Sequence, residues 1–421
     1  MRGAGESGGS GGEASSLAAA RAGYGRRLSA FYWALFLILG IHLPFLPVWL
    51  DGRGLSAEDI AIVTAAPLFL RVFVTPTVAV FADRSGRHRS LVNLLAWFVL
   101  ALALLVTQMH SFWGLLLVAV PLTAALSTIM PLTETIAIGG VRAYGLDYGR
   151  MRLWGSLSFV VAGFACGSLV DWAGSEAVIG CLLAGLLATV TCAWLLPERA
   201  RRSDGPTSPS PAPAVRPPAA ESARTVVGKL IGAPVFVAFL IAAGCVQGAH
   251  GMFYSFGALA WQAQGIPTTW IGALWAVAIA GEVYLFAYSG RVVSRFGPVG
   301  LMIAAGGASV VRWGLMALSP PIAALAPLQM LHALTYGASH LGAMHFISRA
   351  VPESAQGTAQ ALYATMAMGV FIGGATLTSG VLYARIGAEA YFAMAAMAAV
   401  GLLAALYLRA RWHGGTLWAP A

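Results

Sequence analysis

A few ionisable residues lie in the middle of long apolar stretches of this sequence, where charged side chains are rare. They are two arginines, one glutamate and one histidine: Arg71, Arg312, Glu282 and His332. A charge inside an apolar medium is costly, so such residues usually line an aqueous cavity or pair with one another. A guanidinium group binds a carboxylate through two parallel hydrogen bonds, a buried glutamate can carry a proton, and histidine exchanges protons near neutral pH. These residue types predict a site that binds an anion and moves a proton.

A second pair of opposite charges, Glu134 and Arg152, lies 18 residues apart and nearer the ends of its apolar stretches. In one interpretation Arg152 joins Arg71 in binding a substrate carboxylate, and a glutamate carries the proton. Either Glu134 or Glu282 would suit that role. In the other interpretation this pair only ties two helices together and contacts no ligand, and the same would hold for Glu282 with Arg312. The sequence alone leaves both open.

Apolar residues dominate the whole chain and determine which elements must hold these side chains. Of the 421 residues, 58% are hydrophobic and only 10% are charged, whereas an average soluble domain carries roughly 25% charged residues. A soluble fold could not bury that much apolar surface, so the surplus must face lipid. A spanning helix needs about 20 apolar residues. The sequence therefore predicts an all-α membrane protein with twelve transmembrane helices, near 28–50, 57–82, 90–109, 112–138, 152–171, 176–196, 230–257, 268–289, 298–318, 321–348, 359–383 and 389–410.

The predicted helices fall into two sets of six, separated by one long polar segment. Residues 197–229 are rich in Pro, Ser and Arg and cannot pack a core, so we expect a flexible linker there. It joins an N-terminal bundle at 28–196 to a C-terminal bundle at 230–410. The Gly/Ser-rich residues 1–27 are predicted to form a disordered cytoplasmic tail, and 411–421 a second one.

The two predicted bundles also repeat one another. Gly54 precedes the second helix as Gly265 precedes the eighth, and a short basic turn begins 29 residues after each glycine. The two glycines are 211 residues apart, and Arg71 and Glu282 are separated by the same 211 residues. We therefore expect these two residues to face one cavity shared by the halves, as in transporters that are built from parallel repeats.

Basic residues are concentrated on one side of the predicted helices. With the N-terminus in the cytoplasm, the 25 Lys and Arg residues all fall on the cytoplasmic side except Arg53 and Arg385 outside and Arg71 and Arg312 within helices. The positive-inside rule thus predicts a multi-pass protein of the cell (inner) membrane, with both termini and the linker in the cytoplasm. The same short basic runs between apolar stretches account for the net charge of +9 without a nucleic-acid groove.

Several other kinds of chemistry find no support in the sequence. The four cysteines form no C-x-x-C pair, and His340 and His345 do not have the i, i+4 spacing of helical metal ligands, so we expect no metal site. A Walker loop is absent, which argues against ATP-driven transport. We expect a protein that is not an enzyme, that uses no cofactor beyond a proton gradient, and that works in the lipid bilayer as a monomer on a small-molecule substrate.

The turn after the second predicted helix, DRSGRHR at 83–89, resembles the signature that members of the major facilitator superfamily carry between helices 2 and 3. Asp83, Arg84, Gly86 and Arg87 stand at the corresponding positions. The resemblance implies the twelve-helix fold of that superfamily and a conformational latch at this turn. The simpler alternative is a basic cytoplasmic loop without a gating role.

A closer resemblance covers nearly the whole chain. It is to the oligosaccharide:proton symporters of the lactose permease type and, more strongly, to the phenylpropionate permease group. LPFLPVWL at 43–50 resembles their aromatic and proline-rich first helix. PLTE at 131–134 and GRMR at 149–152 resemble the motifs that supply their sugar-binding acid and arginine. The resemblance implies that Glu134 and Arg152 contact the substrate and that Glu134 takes part in proton coupling.

The second half resembles the symporters as well, with two departures. Glu282, Arg312 and His332 stand where these proteins carry the Glu, Arg and His of binding and proton coupling. Three residues after the histidine, however, this chain has Thr335 where the sugar symporters carry a proton-bearing glutamate. The residue expected to stack on the substrate is Phe159 rather than a tryptophan. Both departures weaken the case for a sugar.

Two further features resemble the phenylpropionate permease group: Arg71 and the segment 331–363. The expected function is therefore proton-coupled symport, by alternating access, of a small organic acid with an aromatic or apolar body, such as 3-phenylpropionate. Sugar or nucleoside symport, efflux, and a sensor that does not transport are the alternatives. Further candidates for the pocket wall are Gln247, Tyr254, Trp275 and Tyr336.

Overall fold

The computed structural model of the protein describes residues 9–198 and 222–418, and its regular structure there is helical throughout. The first half is a bundle of six helices joined by short loops. The helices are α1 (Gly9–Gly52), α2 (Ala57–Ser85), α3 (His88–Val106), α4 (Phe112–Tyr144), α5 (Tyr148–Ala173) and α6 (Ala177–Leu195).

The second half is also a bundle of six helices, several of them interrupted. The helix α7 (Pro234–Ala263) is in two parts that meet at Ala249, and α8 (Thr268–Ala287) is unbroken. The helix α9 (Ser289–Met316) is kinked at Gly297, whose φ of 65° is left-handed. The helix α10 consists of Ile322–Met330, Ala333–Ala338 and Ser339–Ala350. The helix α11 consists of Glu353–Tyr363, Ala364–Phe371 and Ile372–Ile386, and α12 is Tyr391–Arg411.

The number of membrane-spanning helices agrees with the sequence. Within the described residues, ten continuous helical stretches are long and apolar enough to cross a membrane. One of them, Glu353–Arg411, contains both α11 and α12, and the interrupted α10 adds the last. The prediction of twelve helices in two six-helix bundles is confirmed.

The interruptions in α10 and α11 are π-helical turns. They cover Ala333–Ala338 and Ala364–Phe371. A π turn shifts the backbone hydrogen bonds from i→i+4 to i→i+5 and is frequent at functional sites. Here the first turn follows His332 directly and the second contains Met368, and both residues contribute to the site described below.

The first helix begins earlier than predicted. Residues 9–27 belong to α1, so a disordered tail over residues 1–27 is wrong for that part of the chain; residues 1–8 lie outside the described residues. The reason is tertiary contact, because the Tyr24 hydroxyl donates to the Ile136 carbonyl at 2.8 Å. Arg21 Nη2 donates to the Gly145 carbonyl at 2.9 Å. Both bonds tie the start of α1 to the end of α4.

The linker is shorter than predicted in the part that can be described. Of residues 197–229, those at 199–221 lie outside the described residues. Residues Ala223–Gly232 form a short helix, here called the linker helix, and the Ser222 side chain caps its first turn. The C-terminal tail is also attached, since Leu417 N donates to the Ala350 carbonyl at 2.7 Å.

The two ends of the bundle differ in how closely the halves approach. The end that carries the α1–α2, α5–α6 and α7–α8 loops is called the loop end, and the opposite one the terminal end. One apolar core passes through the first half and into the loop-end part of the second half, where it includes Phe253 and Trp275. A separate core around Phe239 and Phe346 belongs to the terminal-end part of the second half.

Helix contacts show the same difference. The halves pack through α5 against α8 and through α2 against α11. A Cβ on Gly272 would collide with the Gly163 carbonyl oxygen, and one on Gly380 would collide with Ala61, so these helices touch near the loop end. At the terminal end, the Glu353–Tyr363 segment of α11 packs on α10, α7 and the linker helix of its own half. Contact between the halves is therefore concentrated at the loop end.

Candidate functional site

Arg312 on α9 is the centre of a buried polar cluster in the second half. Its side chain is inaccessible to solvent. Nη1 donates to His332 Nδ1 at 3.1 Å and to Thr335 Oγ1 at 3.0 Å, and Nη2 donates to Gln329 Oε1 at 2.7 Å. All three acceptors come from α10, on either side of the point where its π turn begins, so the turn brings them to the same guanidinium group.

The guanidinium group of Arg312 is also enclosed by aromatic rings. Its Cζ lies 5.0 Å from the ring centre of Phe253 and 4.4 Å from that of Trp313. Such contacts stabilise a cation that has lost its water. The hydrogen-bond acceptors around it are neutral, and among the described residues no carboxylate forms an ion pair with it. The positive charge of Arg312 is thus buried without a direct counter-ion.

Glu282 on α8 lies on the other side of His332. Its Oε2 is 3.7 Å from His332 Nε2, slightly beyond hydrogen-bond distance. Because a guanidinium group can only donate, Nδ1 of His332 must be the acceptor from Arg312, and the proton of the neutral ring is on Nε2. The His332 N–H therefore faces the Glu282 carboxylate. Glu282 and Arg312 do not form the ion pair that would tie their two helices together, because His332 lies between them.

The opposite-charge pair of the first half, Glu134 on α4 and Arg152 on α5, is looser. Arg152 Nε and Glu134 Oε1 are 4.0 Å apart, at the limit for an ion pair. Arg152 lies over the Phe36 ring at 3.8 Å. Glu134 Oε1 and Arg152 Nη1 are buried atoms without a hydrogen-bond partner among the described residues. Polar atoms of this kind are available to a ligand or to water.

A cavity of about 410 Å³, here called the lateral cavity, lies between the terminal-end parts of α5 and α8. Arg152 faces it from one side and Glu282 from the other. Phe159 lines it as well, and its ring lies 6.4 Å from that of Trp275. The remaining walls are Phe36, Tyr148, Gly149, Leu153, Ser156, Ile279, Val283 and Phe286.

A second cavity, of about 310 Å³, lies between the two halves and is here called the central cavity. Its walls are aliphatic side chains and several Ser and Thr hydroxyls, mainly from α1, α2, α4 and α11, together with the rings of His42, Tyr254 and Tyr336. Arg71 on α2 is the charged residue in this wall. Its Nη2 donates to the Met368 carbonyl at 2.6 Å, in the π turn of α11, and it makes no ion pair with a carboxylate of the described residues.

Arg71 and Glu282 were expected to face one shared cavity, and they line two neighbouring ones. The rings of His332 and Tyr336 stack 5.3 Å apart. Tyr336 faces the central cavity, whereas His332 faces Glu282 at the edge of the lateral cavity. This stack of rings separates the two spaces, which a repeat offset in the sequence could not indicate.

The superfamily-like turn at 83–89 lies at the terminal end. Gly86 has φ 67°, a left-handed conformation that ends α2, and its N–H donates to the Ala82 carbonyl at 2.8 Å. Asp83 Oδ1 is 3.1 Å from Nε2 of the buried His88. Arg84 and Arg87 are exposed. This geometry is that of a tight helix–helix corner, and the gating role stays a prediction.

Two residues to which the sequence assigned no functional role make notable polar contacts. His250 on α7 lies with Nε2 3.1 Å from Thr335 Oγ1, although a lone histidine in an apolar helix is usually a packing residue. Asp171 at the end of α5 accepts hydrogen bonds from the backbone N–H of Thr268 at 2.7 Å and of Thr269 at 2.8 Å. It thereby caps the first turn of α8 across the boundary between the halves, and we call this contact the α5–α8 latch. Its only signal is an acid near one helix end and a Pro-Thr-Thr start at another.

Comparison with known proteins supports the resemblance noted in the sequence. A model of the MFS_1 like family matches residues 26–394. The chain is 30% identical over 388 residues to the probable 3-phenylpropionic acid transporter of Escherichia coli, across 91% of this chain and 97% of that protein. It is 29% identical over 388 residues to maltose permease of Geobacillus stearothermophilus, across 90% of this chain and 93% of that one.

Solved structures are similar in fold. The nucleoside transporter NupG superposes with a TM-score of 0.73 at 15% identity, covering 92% of this chain and 98% of that one. A bacterial homologue of the human lysosomal transporter Spinster, in an inward-facing and unoccupied conformation, superposes with a TM-score of 0.71 at 15% identity, covering 95% and 99%. At such low identity these likenesses establish the fold alone.

Proposed function

We propose, since this chain belongs to the MFS_1 like family of secondary transporters, that it carries a small organic carboxylate with an aromatic or apolar body together with a proton. The observation that carries this proposal is Arg71. It lies in the wall of a mostly apolar cavity and is bonded to a backbone carbonyl rather than to a carboxylate of the described residues. A guanidinium group in such a place suits the carboxylate end of an apolar ligand.

The charges of the site favour an anionic substrate as well. Three arginines and two glutamates surround the two cavities and the polar cluster, namely Arg71, Arg152, Arg312, Glu134 and Glu282. With both glutamates ionised and the histidines neutral, one positive charge has no counterpart. A bound carboxylate would supply the missing negative charge, whereas a neutral sugar would not.

Glu282 is the residue to which we assign the proton. Its carboxyl group lines the lateral cavity and faces the N–H of His332. A proton from water in the cavity can therefore add to a Glu282 oxygen and leave from it again, while His332 and Arg312 stay in place behind it. Alternating access would follow from opening the α5–α8 latch while the terminal end closes. We place both termini in the cytoplasm of a cell with an inner membrane, on the strength of the basic residues.

Sugar symport is the second candidate, because one observation favours it. Glu134 Oε1 and Arg152 Nη1 have no hydrogen-bond partner among the described residues, and they are the kind of acceptor and donor that hydroxyl groups use. The similarity to maltose permease points the same way.

The test is uptake of labelled 3-phenylpropionate into proteoliposomes under an inward proton gradient. We expect accumulation that stops when the gradient is dissipated. Arg71→Gln should weaken substrate binding roughly tenfold to hundredfold, the usual effect of removing a hydrogen bond to a charged group. Glu282→Gln should abolish accumulation. Arg150→Gln, at an exposed arginine that belongs to neither cavity, serves as the control.

The outcomes separate the two candidates. Wild-type protein that ignores aromatic acids and accumulates maltose would replace the carboxylate by a sugar. Accumulation of the acid that is indifferent to the proton gradient would contradict the coupling and leave the substrate assignment in place.

A further inference from the structure

His250 and Thr335 are bonded to the polar cluster but line neither the lateral nor the central cavity. Both are completely buried. Their side chains are therefore out of reach of a substrate in either space. Their hydrogen bonds nevertheless determine how the neighbouring groups that carry or face the proton are arranged.

The hydrogen bonds of His250 determine which of its nitrogens bears the proton. Nδ1 lies 3.1 Å from the Val246 carbonyl oxygen and 3.1 Å from that of Gln247. Carbonyl oxygens only accept, so Nδ1 is protonated and Nε2 of the neutral ring is an acceptor. The group 3.1 Å from Nε2 is Thr335 Oγ1, which must then be the donor.

The Thr335 hydroxyl is consequently oriented toward His250, since its other acceptor, the His332 carbonyl oxygen, is farther away at 3.5 Å. Its single hydrogen points to His250, and its lone pairs accept from Arg312 Nη1 at 3.0 Å. The same Nη1 reaches His332 Nδ1 at 3.1 Å. The four side chains of His250, Thr335, Arg312 and His332 form one connected path of hydrogen bonds, and it ends with the proton of His332 on Nε2.

The charged and titratable groups that face this path come from several helices. Arg312 belongs to α9, and His332 and Tyr336 belong to α10. Tyr254 lies one turn further along α7, with its ring 5.7 Å from that of His250. Two groups are more remote: Tyr391 of α12 stacks on Trp313, and Glu282 of α8 lies behind His332.

We propose that His250 and Thr335 are positioning residues for proton coupling. Through the Thr335 hydroxyl, His250 holds Arg312 on His332 Nδ1 and keeps the His332 N–H directed at Glu282. A proton can be added to His332 only at Nδ1, which Arg312 occupies, so Glu282 is the group that takes it in this arrangement. The proposal rests on the proposed function, because it presumes that Glu282 carries the coupled proton.

This arrangement gives Thr335 a definite role. A threonine hydroxyl is neutral and cannot itself carry the proton at this position. It can, however, join two groups that both need an oriented partner, a donor-only guanidinium and an acceptor nitrogen. The hydroxyl and not the size of the side chain is what the path requires.

Matched variants test this requirement. Thr335→Val keeps the shape and removes the hydroxyl, whereas Thr335→Ser keeps the hydroxyl. His250→Phe removes the acceptor nitrogen, whereas His250→Gln supplies an amide oxygen that can accept. For each variant we would measure the melting temperature, substrate exchange at equal pH, and accumulation of labelled 3-phenylpropionate under a proton gradient. Exchange needs no net proton movement, so it separates coupling from binding.

The expected result is a coupling defect in Thr335→Val and His250→Phe. In both, the ratio of accumulation to exchange should fall by roughly tenfold or more, the size expected for loss of a hydrogen bond to a charged group. Thr335→Ser and His250→Gln should recover most of it. If Thr335→Val does not fold, the positioning role is tested with the His250 variants and with the pH profile of their accumulation.

Two different failures can be told apart. If Thr335→Val and His250→Phe accumulate substrate as the wild type does while Glu282→Gln does not, the positioning role is wrong and the proposed function stands. If the wild type itself shows no gradient-driven accumulation of any acid or sugar tested, the proposed coupling fails, and the positioning role fails with it.

Discussion

The ionic groups of the two halves are organised in opposite ways. In the first half, Glu134 and Arg152 approach only to 4.0 Å and leave buried polar atoms without partners among the described residues. In the second half, Arg312 makes three hydrogen bonds of 3.1 Å or less through its two terminal nitrogens and is enclosed by rings, although its Nε has no hydrogen-bond partner among the described residues. The first arrangement is incomplete without a ligand, and the second is nearly complete without one.

This difference shows how two repeated halves of a fold can serve different functions. A loose pair beside a cavity gains hydrogen bonds when a substrate enters, so it suits binding. A densely hydrogen-bonded cluster holds one set of proton positions whether or not a substrate is present, so it suits coupling. The two bundles repeat in helix order, but they differ in how far their buried charges are satisfied.

The largest effect should come from disrupting the hydrogen-bonded cluster around Arg312 in the second half. Arg312→Met would leave His332 Nδ1, Thr335 Oγ1 and Gln329 Oε1 without a donor, and each such buried acceptor costs about 1–3 kcal/mol. We expect a marked fall in the melting temperature in detergent together with loss of gradient-driven accumulation. Arg312→Lys, which restores one donor group, should recover part of the stability. If the melting temperature of Arg312→Met equals that of the wild type, the cluster is not preorganised.

A smaller effect should come from the loose side. Arg152→Gln removes few existing hydrogen bonds, so the melting temperature should stay close to that of the wild type. Substrate affinity should fall roughly tenfold, since a charged donor for the ligand is lost. Binding measured by calorimetry alongside thermal melts would check this. If the melting temperature falls as far as in Arg312→Met, the pair is a structural tie and the contrast between the halves disappears.

The contact between the halves provides a third test. Asp171→Ala removes a carboxylate that accepts two backbone N–H groups and the Thr269 hydroxyl. Loss of a capping interaction costs about 0.5–2 kcal/mol, so the population open at the loop end should rise several-fold. Distances between spin labels on the α1–α2 and α7–α8 loops would report it. Asp147→Ala, which removes a cap within the first half, should leave these distances unchanged.

The smallest effect concerns a salt bridge outside the membrane-spanning helices. Hydrogen bonds from Arg53, the nearest at 2.7 Å, hold the pKa of Glu176 below its usual value. The stabilisation is therefore present above an ordinary carboxyl pKa of about 4.3 and is lost as the pH falls through the lower, folded-state pKa. The carboxylate is 56% exposed, so we expect a contribution of at most about 1 kcal/mol.

Melting curves of the wild type and of Glu176→Gln from pH 3 to pH 8 would measure that contribution. The wild type should be the more stable protein above pH 5, and the two curves should converge at the acid end. A difference that persists unchanged at the acid end would contradict the assignment to this carboxylate.

The sequence by itself determined the class of protein, the number of helices and their division into two bundles. The reason is that apolar stretches of about 20 residues have few alternatives to a spanning helix in lipid. It also indicated the important charges, because a charge inside such a stretch needs a partner or a cavity. Arg71, Glu282, Arg312 and His332 stand out for that reason before any contact is known.

Only the tertiary structure decided how those charges are arranged. The π turns of α10 and α11 determine which groups reach Arg312 and Arg71, and they arise from packing rather than from a readable pattern. His250 looks like any packing histidine until Thr335 on another helix is placed 3.1 Å from it. The α5–α8 latch likewise joins residues that are 97 positions apart in sequence. Hydrogen bonds depend on tenths of an ångström between distant segments, and hydropathy carries no information at that scale.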